Sequence, residues 1–363
     1  MDMISHRRHL HQIPELVFDL PKTLSYIENV LAPLPCRVFS PAKSSLCAFF
    51  DFGKETSLAF RTDMDALPVT EKTGLPFASC HAGRMHACGH DGHMAIALGL
   101  AQWASTQTEL PHNLLLLFQP AEETIGGASL LCDSGVLEEY RAEAVFGLHL
   151  WPDIPLGQVA TRPGGMMCRT SEATLTVTGR PAHVARAEEG LDALEAASRW
   201  YLEALEIARR LPGNTPRLLK FGKMQAGNVR NVVAGSAILE GSMRAFRDED
   251  FDVMKQQLEA LTDRLSRQTG CHFNLELTEG YPAVWNDAAV YDRVQALYPL
   301  TYLEQPVKIA EDFSFYQRRI PGLFFFLGVG PAPALHREDF QFDEKALEVG
   351  FALFRRIAEA YEC

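Results

Sequence analysis

Nine consecutive residues, Met85-His86-Ala87-Cys88-Gly89-His90-Asp91-Gly92-His93, carry one thiol, three imidazoles and a carboxylate. Thiolate and imidazole are the side chains that hold zinc and similar divalent ions. Asp91 is expected to orient a ligating imidazole from behind, and Gly89 and Gly92 to let the backbone turn tightly before the next helix. A zinc finger would need a second ligand pair at short spacing, and the chain has none. The second cluster, Gln119-Pro120-Ala121-Glu122-Glu123, follows the most apolar run of the chain, Leu114–Phe118. Two carboxylates there can divide the work, one holding a metal and the other moving a proton. Asp63 and Asp65 lie at alternate positions after another apolar run, so their side chains are expected to point the same way. A turn before Pro68 is the plainer reading of that pair. His149 and His336 each end an apolar segment. With Cys88, His90 and Glu123 they provide enough sulfur, nitrogen and oxygen donors for two divalent metal ions. Zn, Mn, Co and Ni all suit these ligand types, and the sequence leaves open which ligand bridges.

Those donors need elements that bring them together. Leu46–Phe52, Ser57–Arg61, Asn113–Gln119 and Ala144–His149 read as short apolar strands, and Gly92–Ser105 as a helix between them. Continuous apolar strands separated by helices predict an α/β unit with a mostly parallel sheet covered on both faces. Ligands would then gather at strand C-termini along one edge. Near Arg169 the pattern changes. Ala173, Leu175 and Val177 alternate with threonines, and Leu191, Leu194, Ala197, Tyr201, Leu205 and Ala208 follow helical spacing. Arg217–Lys223 and Ala237–Ala245 read as strands, Phe251–Leu265 as a helix and Phe273–Leu277 as a last strand. The order β-α-β-β-α-β predicts a small sheet with helices on one face. The α/β pattern resumes at Leu323–Val329 and the helical Glu344–Tyr361. The expected organisation is a catalytic domain over 1–168 and 280–363, with an α+β domain inserted at 169–279.

Composition narrows the class. At 363 residues, 47% apolar and 22% charged, the chain can build a sizeable core in about two domains. Its 46 acidic residues against 34 basic ones leave a net charge of −12, which repels phosphate backbones and excludes nucleic acid as the expected partner. No apolar run reaches the ~18 residues of a membrane helix, and the start lacks the apolar stretch of a signal peptide. A cytoplasmic protein is expected. Eight cysteines without a paired knuckle do not make a disulfide scaffold.

Arg61–Pro68, Met85–His93, Gln119–Glu123 and Gly147–His149 resemble the amidohydrolase branch of the aminoacylase/carboxypeptidase metallopeptidases. That branch holds hippurate hydrolases, auxin–amino-acid hydrolases and N-acetyldiaminopimelate deacetylases. The resemblance runs from His11–Leu16 to Glu311-Asp312-Phe313 and His336. It implies Cys88, His90, Glu123, His149 and His336 as metal ligands, Glu122 as general base and Asp65 as the acidic residue beside the metals. It also implies that the insertion is a lid mediating homodimerisation. There His183 would stabilise the tetrahedral intermediate, and Asn231 and Arg244 would bind the substrate carboxylate. Arg230–Ala237, Glu240–Arg244 and Ile320–Phe324 are most similar to the diaminopimelate deacetylases. The implied reaction is deacetylation of N-acetyl-L,L-diaminopimelate to diaminopimelate and acetate in lysine biosynthesis. After His183 the chain reads Val184–Gly190 where the branch commonly has a small residue, proline and histidine. A broader hydrolase of hippurate-like N-acyl amino acids is therefore the second reading. A cysteine hydrolase using Cys88 with His90, and a binding module that has kept only the fold, are the competing classes.

Overall fold

A run such as Leu114–Phe118, apolar on both faces, satisfies itself only as a strand buried on both sides. In the computed structural model, which describes residues 2–124, 126–211 and 216–362, Asn113–Gln119 is such a strand, and every residue in it is buried. It lies in an eight-stranded sheet in the order Arg37–Phe39, Leu46–Phe50, Asn113–Gln119, Ser57–Asp63, Ala142–Pro155, Gly322–Gly330, Val159–Thr161 and Thr301–Tyr302. The four central strands run parallel, and Leu46–Phe50 and Val159–Thr161 join them antiparallel. The expected mostly parallel α/β sheet is therefore present.

Register decides what meets at the edge. Asp63 lies opposite Gln119, and Arg61 opposite Gly147, two residues short of His149. Strand ends distant in sequence thus share one level. The helix His90–Ala104 packs against Ser57–Asp63 and against the helices Met3–Gln12 and Lys345–Ala360. It is buried at every position but Gln102, as an all-round apolar helix must be.

This large unit runs through Met166 and includes Trp285–Gln305 and the chain from Asp312 onward. The smaller unit comprises Met167–Val284 and Pro306–Glu311. Its elements follow the order Arg169–Thr178, Ala193–Arg210, Arg217–Ala226, Ser236–Ala245, Asp248–Thr269 and His272–Leu277, a β-α-β-β-α-β unit with a 3-10 turn at Val184–Glu189. The four strands form an antiparallel sheet of their own, with Arg217–Ala226 at one edge. Leu175, Val177, Trp200, Met254 and Leu258 are among the residues of its core. Trp200, fully buried, donates its indole N–H to Thr262 Oγ1 at 3.0 Å.

The N-terminal helix is fastened to the buried helix by charge. Arg7 Nε and His11 Nδ1 both donate to Asp91 Oδ2, at 3.0 and 2.8 Å, and all three side chains are almost fully buried. His11 Nε2 also faces Glu71 at 3.3 Å. Burial opposes the imidazolium, yet the charge of Asp91 and the hydrogen bonds to Asp91 and Glu71 raise His11 to about 9. The folded protein therefore binds the His11 proton more tightly than the unfolded chain does. The resulting stability is complete below the ordinary value of about 6.5 and is lost as pH rises toward about 9. Urea unfolding should show a fall of order 3 kcal/mol across that window, and His11→Gln should flatten it. A slope unchanged in the variant would mean that His11 carries no charge in the fold.

Candidate metal centre

Four separate segments supply the donors. Gly89, at φ +90°, ends the loop and begins the helix, and a Cβ there would meet Leu150 Cδ1 at 2.8 Å. Gly92 is not the turn residue expected of it. It sits inside the helix, where its lack of a side chain admits Phe342 and Leu150. Leu67 and Met85 exchange two backbone hydrogen bonds of 3.0 Å, fixing the Cys88 loop to the segment after Asp65. The His336 N–H donates to Ala87 O at 2.8 Å, holding His336 in a left-handed conformation at φ 66° that a non-glycine residue adopts only under constraint.

The sulfur of Cys88 lies 3.2 Å from Nε2 of both His149 and His336. Glu123 Oε1 lies 3.3 Å from His336 Nε2 and 3.8 Å from His90 Nε2. Two triads result, Cys88–His90–His149 and Cys88–Glu123–His336, each with donor atoms within 4.8 Å of one another. Cys88 is common to both. His90 Nδ1 donates to the Asp65 carbonyl and His149 Nδ1 to the Leu150 carbonyl, both at 2.7 Å. A carbonyl only accepts, so each ring carries its proton on Nδ1 and turns the Nε2 lone pair inward. His90 Nε2 and Glu123 Oε1 are buried without a hydrogen-bond partner, as donors awaiting a cation would be. The donor set fits divalent metal ions. Glu122 shares a third group with His90 and Glu123, so both carboxylates of the pair stand at the centre.

Charge explains how such a cluster persists. Burial pushes the Cys88 thiol well up, and the charges of Glu123 and Glu122 push it further. In this setting the thiol ionises only beside a cation, which suits a metal ligand better than a free nucleophile. Burial works against the Glu123 carboxylate, but its contacts with His336 and His90 lower it to about 2. Burial pushes His149 down to about 3, so its lone pair is available at neutral pH.

Several residues have partners that sequence spacing did not reveal. Asp91 orients no ligand, because its bonds go to Arg7 and His11. Asp63 and Asp65, expected to point the same way, have different partners. Asp63 takes Arg61 Nη1 at 2.8 Å and His93 Nδ1 at 2.7 Å. Asp65 accepts the backbone N–H of Glu122 at 2.9 Å and of Glu123 at 3.1 Å. Its carboxylate thus builds the loop that presents both glutamates. Arg61, which the sequence reading passed over, is fully buried and also binds Gln119 and Asp312. An arginine inside an apolar strand was the signal available for it. His86, first in the histidine motif, belongs to neither triad.

In the smaller unit, His183 and Val232 form a backbone bridge, and the Val184 N–H donates to Asn231 O at 3.2 Å, so His183 and Asn231 are neighbours. His183 Nδ1 accepts the Ala185 N–H at 3.1 Å, which leaves Nε2 as its donor. Arg244 is not with them. It lies at the other end of the Ser236–Ala245 strand, opposite Thr170, where it donates to the Lys308 carbonyl.

The profile of peptidase family M20/M25/M40 matches residues 59–360. The chain belongs to this family. An N-acetyldiaminopimelate deacetylase of Lacticaseibacillus casei is 36% identical over 365 residues, covering 96% of this chain and 95% of the relative. One from Brevibacillus brevis is 34% identical, again over 96% and 95%. Among solved structures, a protein of methicillin-resistant Staphylococcus aureus superposes with a TM-score of 0.91 at 29% identity, over 98% of this chain and 95% of that one. The YXEP protein of Bacillus subtilis, described as a dinuclear metal-binding peptidase of the M20 family, gives 0.86 at 28%, over 98% and 96%. The protein is a hydrolase acting on amides. No helix among the described residues is long and apolar enough to cross a membrane.

Removing the Asp65 carboxylate should loosen the loop that carries Glu122 and Glu123. Asp65→Ala is expected to retain metal ~10–100-fold less tightly, as followed by metal content after dialysis against a weak chelator. Retention equal to that of the parent protein would show that the loop holds its shape without Asp65.

Proposed function

We propose that the protein hydrolyses the amide bond of an N-acyl amino acid at a dinuclear metal centre, with N-acetyl-L,L-diaminopimelate as substrate. The observation that carries the reading is the pair of donor triads sharing the Cys88 sulfur, with Glu122 beside them. Cys88, His90 and His149 would hold one ion, and Cys88, Glu123 and His336 the other. Divalent ions in such a site act as Lewis acids toward an amide carbonyl and lower the pKa of water toward ~7. Glu122 takes the proton of the attacking water and delivers it to the leaving amine. His183, with its proton on Nε2, donates to the oxyanion of the tetrahedral intermediate. Arg244 binds a free carboxylate, as a planar guanidinium does best, and Asn231 assists from the His183 side.

The pathway assignment, diaminopimelate and acetate production in lysine biosynthesis, rests on the relatives' names together with Arg230–Ala237 and Glu240–Arg244. The second reading, a broader hydrolase of hippurate-like compounds, is favoured by Val184–Glu189. That stretch forms a charged, exposed 3-10 turn closed by Arg186 and Glu189 at 3.6 Å.

We also infer a homodimer formed through the lid. From Ser236 to Arg244 the strand climbs roughly 25 Å, a span that no N-acyl amino acid bridges. One lid cannot bring both His183 and Arg244 to the same substrate. Two chains can, each supplying one end. The edge strand Arg217–Ala226 is an available seam, since among the described residues it pairs only with Ser236–Ala245. Light scattering after gel filtration should report twice the chain mass, and a monomer with full activity would remove the shared-site reading.

Two experiments test the chemistry. Glu122→Gln should keep its metal content yet lose ~10²–10⁴-fold in kcat, and unchanged turnover would take Glu122 out of the proton path. Amine release from N-acetyl-L,L-diaminopimelate, hippurate and several N-acetyl amino acids, after metal stripping and reloading with Mn, Zn, Co or Ni, tests the substrate. Strong metal-dependent preference for the diaminopimelate compound is the expected result. Preference for another member of the panel would keep the reaction and replace the pathway.

A further inference from the structure

His93 belongs to the motif that supplies Cys88 and His90, is fully buried, and packs its ring 4.7 Å from that of His149 and 5.4 Å from that of His90. It is close enough to Asp63 and His90 to count as a third candidate ligand. Its hydrogen bonds exclude that role. Nδ1 faces Asp63 Oδ1 at 2.7 Å, and Nε2 lies 3.0 Å from the Leu150 nitrogen. A backbone N–H can only donate, so Nε2 accepts and its lone pair is spent, while Nδ1–H donates to the carboxylate.

Leu150 is the residue that needs this. The N–H and C=O of one strand residue point to the same side, and their usual partner is the neighbouring strand. On one side of Ala142–Pro155, pairing with Gly322–Gly330 continues past Leu150. On the other, the register with Ser57–Asp63 ends at Arg61 and Gly147. Beyond that point the Leu150 peptide groups have no ladder. His93 takes the N–H, and His149 Nδ1 donates to the C=O at 2.7 Å.

We propose that His93 is a positioning residue for the ligand His149, acting through the chain Asp63 carboxylate, His93 imidazole, the backbone N–H and C=O of Leu150, and His149 imidazole. The His93 ring substitutes for the strand that has ended. It fixes the Leu150 N–H, and with it the residue whose carbonyl sets the proton position and rotation of His149, and so aims His149 Nε2 at the Cys88 sulfur 3.2 Å away. The inference rests on the metal-centre reading above and adds to it a site-selective effect, because His336 and Glu123 do not hang from Leu150.

The test compares His93→Gln with His93→Asn. Glutamine can place its amide oxygen near the Nε2 position and accept the Leu150 N–H. Asparagine is too short to do so, although it still reaches Asp63. Each protein would be stripped, loaded with Co²⁺ and titrated against a competing chelator, with the thiolate-to-cobalt absorption band and bound cobalt per chain as readouts. The parent protein should hold two ions. Asparagine should weaken one of them by ~10–100-fold, perturb the thiolate band and leave the other ion at parental affinity, and glutamine should restore the first. Thermal unfolding of the metal-free proteins separates this from a general loss of fold. Two ions held by the asparagine variant as by the parent would overturn the proposal while leaving the metal centre intact. Equal weakening of both ions, or no rescue by glutamine, would overturn it as well. A parent protein that binds no cobalt would sink the metal-centre reading first, and this inference with it.

Discussion

A buried imidazole has one lone pair to offer, and the group that accepts its proton decides which nitrogen offers it. The candidate centre depends on that choice being made before any ligand arrives. For His90 the acceptor is the Asp65 carbonyl and for His149 the Leu150 carbonyl, both backbone atoms set by the sheet. Backbone acceptors do not titrate and do not swing, so the rings are fixed by the fold rather than by side chains that would need fixing themselves. Asp65 takes part twice, its carbonyl orienting His90 and its carboxylate gathering the Glu122 and Glu123 amides. Loop, helix and strand edge are joined at this one residue.

The second constraint is charge. Asp63, Asp65, Glu122 and Glu123 crowd one edge of a sheet whose interior strands are apolar, and unpaired charge there would be costly. Arg61 answers part of it from inside the sheet, holding Asp63 at 2.8 Å and Asp312 at 2.7 Å. Gln119 binds Asp312 as well, at 2.7 Å, and receives the Tyr316 hydroxyl at 3.1 Å. Replacing such a network by apolar residues of similar volume can be neutral for stability. Its retention here makes sense as geometry, because it pins the ends of Ser57–Asp63 and Asn113–Gln119 against each other. Glu123 is answered by imidazoles instead, its carboxylate lying beside His336 and His90.

What could be read from the sequence divides along a physical line. The apolar strands, the buried helix and the β-α-β-β-α-β insertion were legible because periodicity records local burial. The clustering of Cys88 and His90 was legible because their chemistry is concentrated in nine residues. Partners across long sequence separations were not. Nothing in the chain tells that Asp91 serves residues near the N-terminus, or that Asp65 faces two amides of a loop 57 and 58 residues away. Alternation correctly noted that Asp63 and Asp65 share a strand end, but Asp65 lies past the last ladder residue of Ser57–Asp63, where period two no longer binds. The third histidine of the motif, His93, received no role from the sequence. Ligand-like composition does not identify the ligands, since a ring beside a ligand can be needed to replace a missing strand.

The lid follows from a different limit. A small antiparallel sheet with helices on one face is a stiff plate, and residues at opposite ends of one strand stay apart. His183 and Asn231 share one end, and Arg244 holds the other. A catalyst that needs an oxyanion donor and a carboxylate clamp around one small substrate has two ways to use such a plate. It can bend it, at the expense of a core built around Trp200 and Leu258, or bring a second plate. Bending breaks packing that is close to crystalline in density, whereas a second copy needs only an open edge. The edge strand Arg217–Ala226 carries Lys220 and Lys223 on its exposed side, charges that discourage indiscriminate strand addition. Association along that strand would therefore require a partner whose charges and register match, and another copy of the same lid meets that condition by symmetry.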